Sequence, residues 1–93
     1  MAKYLVRIEL HHASTDDYEE LHAQMANRGF SREITSGDGR TYELPTAEYV
    51  IRTDSNLQAV RRSAAAAAEA TGRKFGVVVA EYTKSAWSGL AFA

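Results

Sequence analysis

A strand of period two, two capped helical stripes and a glycine-rich hairpin turn predict a small α+β domain in the order strand–helix–strand–strand–helix–strand. The 93 residues suffice for one domain and leave no room for a second. A domain of this size buries only about two-thirds of its unfolded surface, so one sheet face is free to meet a partner subunit.

Lys3 to Leu10 alternates. Tyr4, Val6, Ile8 and Leu10 fall on one face, and Lys3, Leu5, Arg7 and Glu9 on the other, as in a strand with one buried face. Ser14 or Thr15 then caps a helix over residues 15–28, with Asp16 and Asp17 suited to its positive first turn. Tyr18, Leu21 and Met25 form its apolar stripe, and Gly29 stops it. Phe30, Arg32 and Ile34 open the second strand. Ser36-Gly37-Asp38-Gly39 makes a turn, and Thr41 to Leu44 extends the hairpin up to the only proline, Pro45. Ala47 to Thr53 is the third strand. Ser55 with Gln58 forms a capping box for the second helix, whose alanine run, Ala64 to Ala68, either serves helix propensity or gives a low face that sits close to a sheet. Thr71-Gly72 ends it. Lys74 to Tyr82 is the last strand, apolar on both faces, which predicts burial on both sides or a place at a dimer interface.

These elements predict the ferredoxin-like plan, βαββαβ, an antiparallel sheet with both helices on one face. The domain spans residues 1–83. The apolar tail, 84–93, carries Trp87, Leu90 and Phe92, which predicts docking, either on its own domain or as an extra C-terminal strand on a neighbouring subunit.

Eleven basic and twelve acidic side chains nearly cancel, so overall charge does not advertise nucleic-acid binding. There is no cysteine, hence neither a disulfide framework nor a thiolate metal site. No apolar run reaches the roughly twenty residues that span a bilayer. The expectation is a cytoplasmic protein without signal peptide or membrane contact.

Two groups of residues can carry chemistry. Glu9, His11, His12, Asp16 and Asp17 cluster where the first strand ends. Glu9 offers an oxygen ligand for Mg²⁺ or Mn²⁺, and His11 a general base near neutral pH. The competing reading makes the two aspartates helix-start acids, Glu9 a cross-strand partner of an arginine, and the histidines loop residues. The second group is basic: Arg28, Arg32, Arg40, Arg52, Arg61, Arg62 and Arg73 with Lys74. Arg32 and Arg52 are expected on paired strands and Arg40 in the hairpin loop, with Tyr42, Tyr49 and Tyr82 as stacking surfaces for bases. Interleaved Glu33, Glu43, Glu48 and Glu81 allow a plain solvated face instead.

The run Tyr4-Leu5-Val6-Arg7-Ile8-Glu9, the helix ending Met25-Ala26-Asn27-Arg28-Gly29-Phe30-Ser31, the Asp38-Gly39 hairpin, Leu44-Pro45 and Tyr49-Val50-Ile51-Arg52-Thr53 resemble the GhoS antitoxins of type V toxin–antitoxin systems. The resemblance covers roughly the first 83 residues. Members of that family are similar to the small ferredoxin-like subunit of the CRISPR adaptation complex. The resemblance implies a sequence-selective endoribonuclease that cuts the messenger of a membrane-lytic toxin, and a homodimer built through the sheets. It also implies a metal-linked acidic residue at the end of the first strand. Glu9 stands there, where Asp is more usual. The alanine-rich second helix and the Trp87 tail depart from the family pattern. The alternative function is a non-catalytic ferredoxin-like dimer that binds protein or nucleic acid.

Overall fold

The computed structural model describes residues 1–93. The central strand, β1 (Ala2–Leu10), pairs antiparallel with β4 (Glu48–Thr53) on one side and β5 (Phe75–Tyr82) on the other. Its alternation decides its two faces. Tyr4, Val6, Ile8 and Leu10 are buried, and Arg7 and Glu9 are exposed. The buried set packs with residues of both helices in one core.

Helix α1 (Thr15–Asn27) starts at a closed capping box. The Asp17 amide donates to the Ser14 hydroxyl at 3.3 Å, and the Ser14 amide donates to the Asp17 carboxylate at 2.9 Å. Leu21 and Met25 are fully buried on its inner face. It ends where Gly29 adopts a φ of 87°, a conformation glycine takes without strain. The Gly29 and Phe30 amides then donate to the Ala26 and Met25 carbonyls at 3.0 and 3.1 Å, closing the last turn.

Helix α2 (Leu57–Glu69) begins one residue later than its sequence suggests. Asn56, not Ser55, is the cap, accepting from the Ala59 amide at 2.9 Å. The Ser55 carbonyl instead accepts from the Tyr4 hydroxyl at 2.9 Å. Tyr4 is buried, and a buried hydroxyl needs a partner. Ala64, Ala67 and Ala68 are fully buried in the shared core, so the alanine run does provide a close-packing face.

Strands β2 (Glu33–Thr35) and β3 (Thr41–Glu43) form a hairpin. Ser31 and Val50 exchange two backbone hydrogen bonds of 2.8 Å, tying the start of this hairpin to β4. The result is the expected ferredoxin-like architecture, an antiparallel sheet and two helices.

The last strand corrects one expectation. β5 is an edge strand, and Gly76, Val78 and Ala80 on its outer face are exposed. Val78 is 65% exposed. Within one chain the second face of the strand is not buried, and the alternative expectation, a dimer interface, calls for just such an uncovered apolar face.

The tail lies on its own chain. Phe92 bridges to Tyr42, with the Glu43 amide donating to the Ala91 carbonyl at 2.9 Å and the Ala93 amide to the Thr41 carbonyl at 3.1 Å. Trp87 meets Tyr42 edge-on at 5.5 Å. Trp87 and Leu90 line one apolar cleft with Leu5, Ile34 and Leu44, apart from the main core.

Candidate functional site

The register of β1 with β5 sets Glu9 opposite Gly76 and Leu10 opposite Phe75. It thereby carries the residues just before β5 to the end of β1. The His11 amide donates to the Lys74 carbonyl at 2.8 Å and fixes that junction. The chain then turns sharply at His12, whose φ is 54°, in the left-handed region that non-glycine residues seldom enter. His11, His12, Arg73 and Lys74 line one shallow cleft, floored by Gly72 and Phe75. Glu9 stands beside it, with its Oε1 4.0 Å from His11 Nδ1. Glycine at position 76 puts no side chain across from Glu9, which leaves its carboxylate exposed.

Arg73 is held in place. Its Nε donates to the Asp17 carboxylate at 2.9 Å. The same carboxylate accepts from the Ser14 amide, and these contacts keep Asp17 below the usual carboxylate range, with the Ser14 amide foremost. Asp17 is therefore committed to the helix cap and to Arg73. Of the acidic cluster seen in sequence, Glu9 is the member that stays with the histidines.

The sequence expects Glu9 and His11 to hold or accompany a divalent ion. Together they supply one carboxylate and one imidazole, and no group of three His, Asp or Glu side chains comes together in the chain. A Mg²⁺ ion keeps several waters and needs only one or two protein carboxylates, so Glu9 fits such an ion without a cage of protein ligands. Without an ion, what the pair offers is acid–base chemistry.

The three arginines assigned to nucleic acid do not form one surface. Arg52 pairs with Lys3 across β4 and β1, on the face away from the helices. Arg32 lies under α1, lining a cleft with Tyr18, Glu19 and His22. The single Ser31–Val50 bridge explains the difference, because it places residues 31 and 32 on alternate faces. Arg40 sits in the hairpin turn with its guanidinium 5.6 Å from the Phe92 ring centre. Sequence reasoning does not join Arg73 and Lys74 to the Glu9–His11 group. They are more than sixty residues away along the chain, and only the strand register shows that they meet it.

No curated protein matches the chain at a significant level. The sequence profile described as Endoribonuclease GhoS matches residues 1–88, which take in every strand and helix and all residues of the cleft. The chain belongs to the GhoS endoribonuclease family.

Proposed function

We propose that this chain cuts single-stranded RNA in the cleft at the end of β1, with His11 and Glu9 at its centre. The observation that carries the reading is the 4.0 Å approach of Glu9 Oε1 to His11 Nδ1 beside a cleft lined by His12, Arg73 and Lys74. A small side-chain rotation that closes the 4.0 Å gap between Glu9 Oε1 and Nδ1 to a hydrogen bond would orient the imidazole and leave Nε2 free to act. His11 takes the proton of a ribose 2′-hydroxyl as that oxygen attacks the neighbouring phosphorus. The bond from phosphorus to the 5′ oxygen breaks, and His12 delivers a proton to the departing oxygen. The products are a 2′,3′-cyclic phosphate and a 5′-hydroxyl. Arg73 and Lys74 balance the charge that builds on the phosphoryl oxygens. The antitoxin role of the family supports the narrower reading that the RNA is a toxin messenger.

The test is cleavage of a short RNA by purified protein, with excess chelator, Mg²⁺ or Mn²⁺ side by side. Chelator-resistant cutting that leaves cyclic phosphate ends is expected. Cutting that stops with chelator and returns with Mn²⁺ would instead make Glu9 an ion ligand, as the family resemblance implies.

A second reading, a non-catalytic homodimer, is favoured by the uncovered edge strand and its exposed Val78. It predicts a dimer mass by sedimentation that Val78→Asp reduces to a monomer, and no cutting under any metal condition.

A further inference from the structure

We infer that Phe92 and Tyr42 form a stacking platform for an unpaired nucleobase, a second RNA-binding point at the far end of β1 from the cleft. The inference deepens the RNA reading and rests on it for the ligand. Phe92 is 64% exposed, yet it is not loose. Backbone hydrogen bonds on both sides of it, from Glu43 to Ala91 and from Ala93 to Thr41, hold it against β3. Its ring stacks on Tyr42 at 5.1 Å with an interplanar angle of 30°, and Tyr42 is braced in turn by Trp87. An exposed aromatic ring fixed by backbone pairing and backed by a second ring offers a flat apolar surface without ordering cost. Such surfaces stack bases irrespective of sequence.

The charges around it suit a polyanion. The Arg40 guanidinium lies over the Phe92 ring, 5.6 Å from its centre, so a base that stacks on Phe92 displaces or layers onto it, and Lys3 lines the adjoining cleft with Tyr42 and Trp87. Asp38, the acid of that cleft, is engaged inside its own turn by the Ser36 hydroxyl and the Arg40 amide, and its other oxygen lies 4.0 Å from Arg40 Nε as a counter-charge. Glu33 and Glu43 pair with each other across the hairpin, one position removed from the Ile34–Tyr42 pair, so they point to its opposite face. From Lys3 to Glu9, β1 runs roughly 20 Å at about 3.3 Å per residue. Lys3, Arg52 and Arg7 lie along that stretch of the face away from the helices, beside the cleft that Leu5 shares with Trp87 and Leu90, with Glu48 opposite Arg7 as a counter-charge. One strand of RNA can therefore reach from platform to cleft over cations. Phe92 also falls outside the residues that the family profile matches, so membership of the family does not supply it.

The experiment measures binding apart from cutting. A fluorescent single-stranded RNA with 2′-O-methyl riboses, which has no free 2′-hydroxyl to attack, is titrated into the full chain. Phe92→Ala is expected to weaken it by about five- to a hundredfold, the effect of losing one stacked base. Phe92→Leu keeps an apolar side chain against Tyr42 but has no ring, and is expected to weaken binding comparably, whereas Phe92→Trp restores it. Arg40→Ala should also flatten the salt dependence, by about 0.7 in log–log slope for each phosphate no longer neutralised, while Phe92→Ala leaves the slope unchanged. Wild-type affinity in Phe92→Leu would overturn the platform. Cleavage of unmodified RNA with the same KM in wild type and Phe92→Ala would overturn it too and leave the cleft reading intact. Ring-dependent binding by a protein that cuts nothing would uphold the platform and remove the nuclease reading.

Discussion

The Nδ1 of His22 lies 2.6 Å from the Tyr49 hydroxyl, joining α1 to β4 beneath the helix layer. Burial, and secondarily Arg32, hold the imidazole below its ordinary pKa of 6.5. The native protein therefore resists protonation there, while the unfolded chain accepts a proton near pH 6.5. Stability should fall as pH drops below about 6.5 and be fully recovered above it. Thermal melts between about pH 5 and 8, compared with His22→Phe, will check this, since the variant should lose that part of the slope.

Tyr49 gives the opposite limb. Burial pushes its hydroxyl up to about 12. The unfolded tyrosine ionises near 10, so stability should decline from about pH 10 towards 12. Tyr49→Phe should remove its own part of that decline, leaving the part from Tyr82, whose hydroxyl burial also pushes up, and cost about 1–2 kcal/mol at neutral pH, because His22 loses its partner. Urea unfolding at neutral pH measures the cost.

In the cleft, His11→Ala should slow RNA cleavage by about 10²- to 10⁴-fold, the usual contribution of a positioned acid or base. Glu9→Gln keeps the shape but not the charge. It should lower kcat and shift the pH–rate profile, with little change in KM. Gel assays across about pH 5 to 9 separate the two effects. A wild-type profile in both variants would remove the pair from catalysis.

The alanine face of α2 should tolerate little growth. Ala67 is fully buried in the core shared by the helices and the sheet. Ala67→Leu should destabilise by about 1–3 kcal/mol through overpacking, and Ala67→Ser by less. Chemical denaturation will rank them.

Trp87 braces the tail against the hairpin. Trp87 is half-buried, so Trp87→Ala should cost about 1–2 kcal/mol and release Phe92 from its stack on Tyr42. Amide exchange of Glu43 and Ala93, the donors that pin the tail, should accelerate in the variant while that of β1 stays slow.

What is legible in the sequence is what short-range rules control. The two faces of β1, the Ser14 cap, the Gly29 stop and the hairpin turn each depend on residues within a few positions of one another. Ser55 does not cap its helix: Asn56 takes the Ala59 amide one residue later, while Ser55, just outside the helix, gives its carbonyl to the buried Tyr4 hydroxyl. The two-sided apolar pattern of β5 suggests burial, but alternation reports what a face could bury and not what covers it. Arg32 and Arg52 part because one bridge at Ser31 sets their faces. The cleft is half visible. Glu9 and His11 stand together in sequence, but Arg73 and Lys74 join them only through pairing between strands that are far apart along the chain.

His12 holds a backbone shape that glycine would hold at lower cost. Substituting glycine there should raise the melting temperature by a few degrees, about 1 kcal/mol of relief, and slow cutting by about 10²- to 10⁴-fold through loss of the proton donor. Selection for sturdiness alone would drive this corner towards glycine. A library of variants sorted first for stability and then for RNA cleavage would pull position 12 in opposite directions, and the size of that conflict would measure how much folding the protein gives up to keep its chemistry.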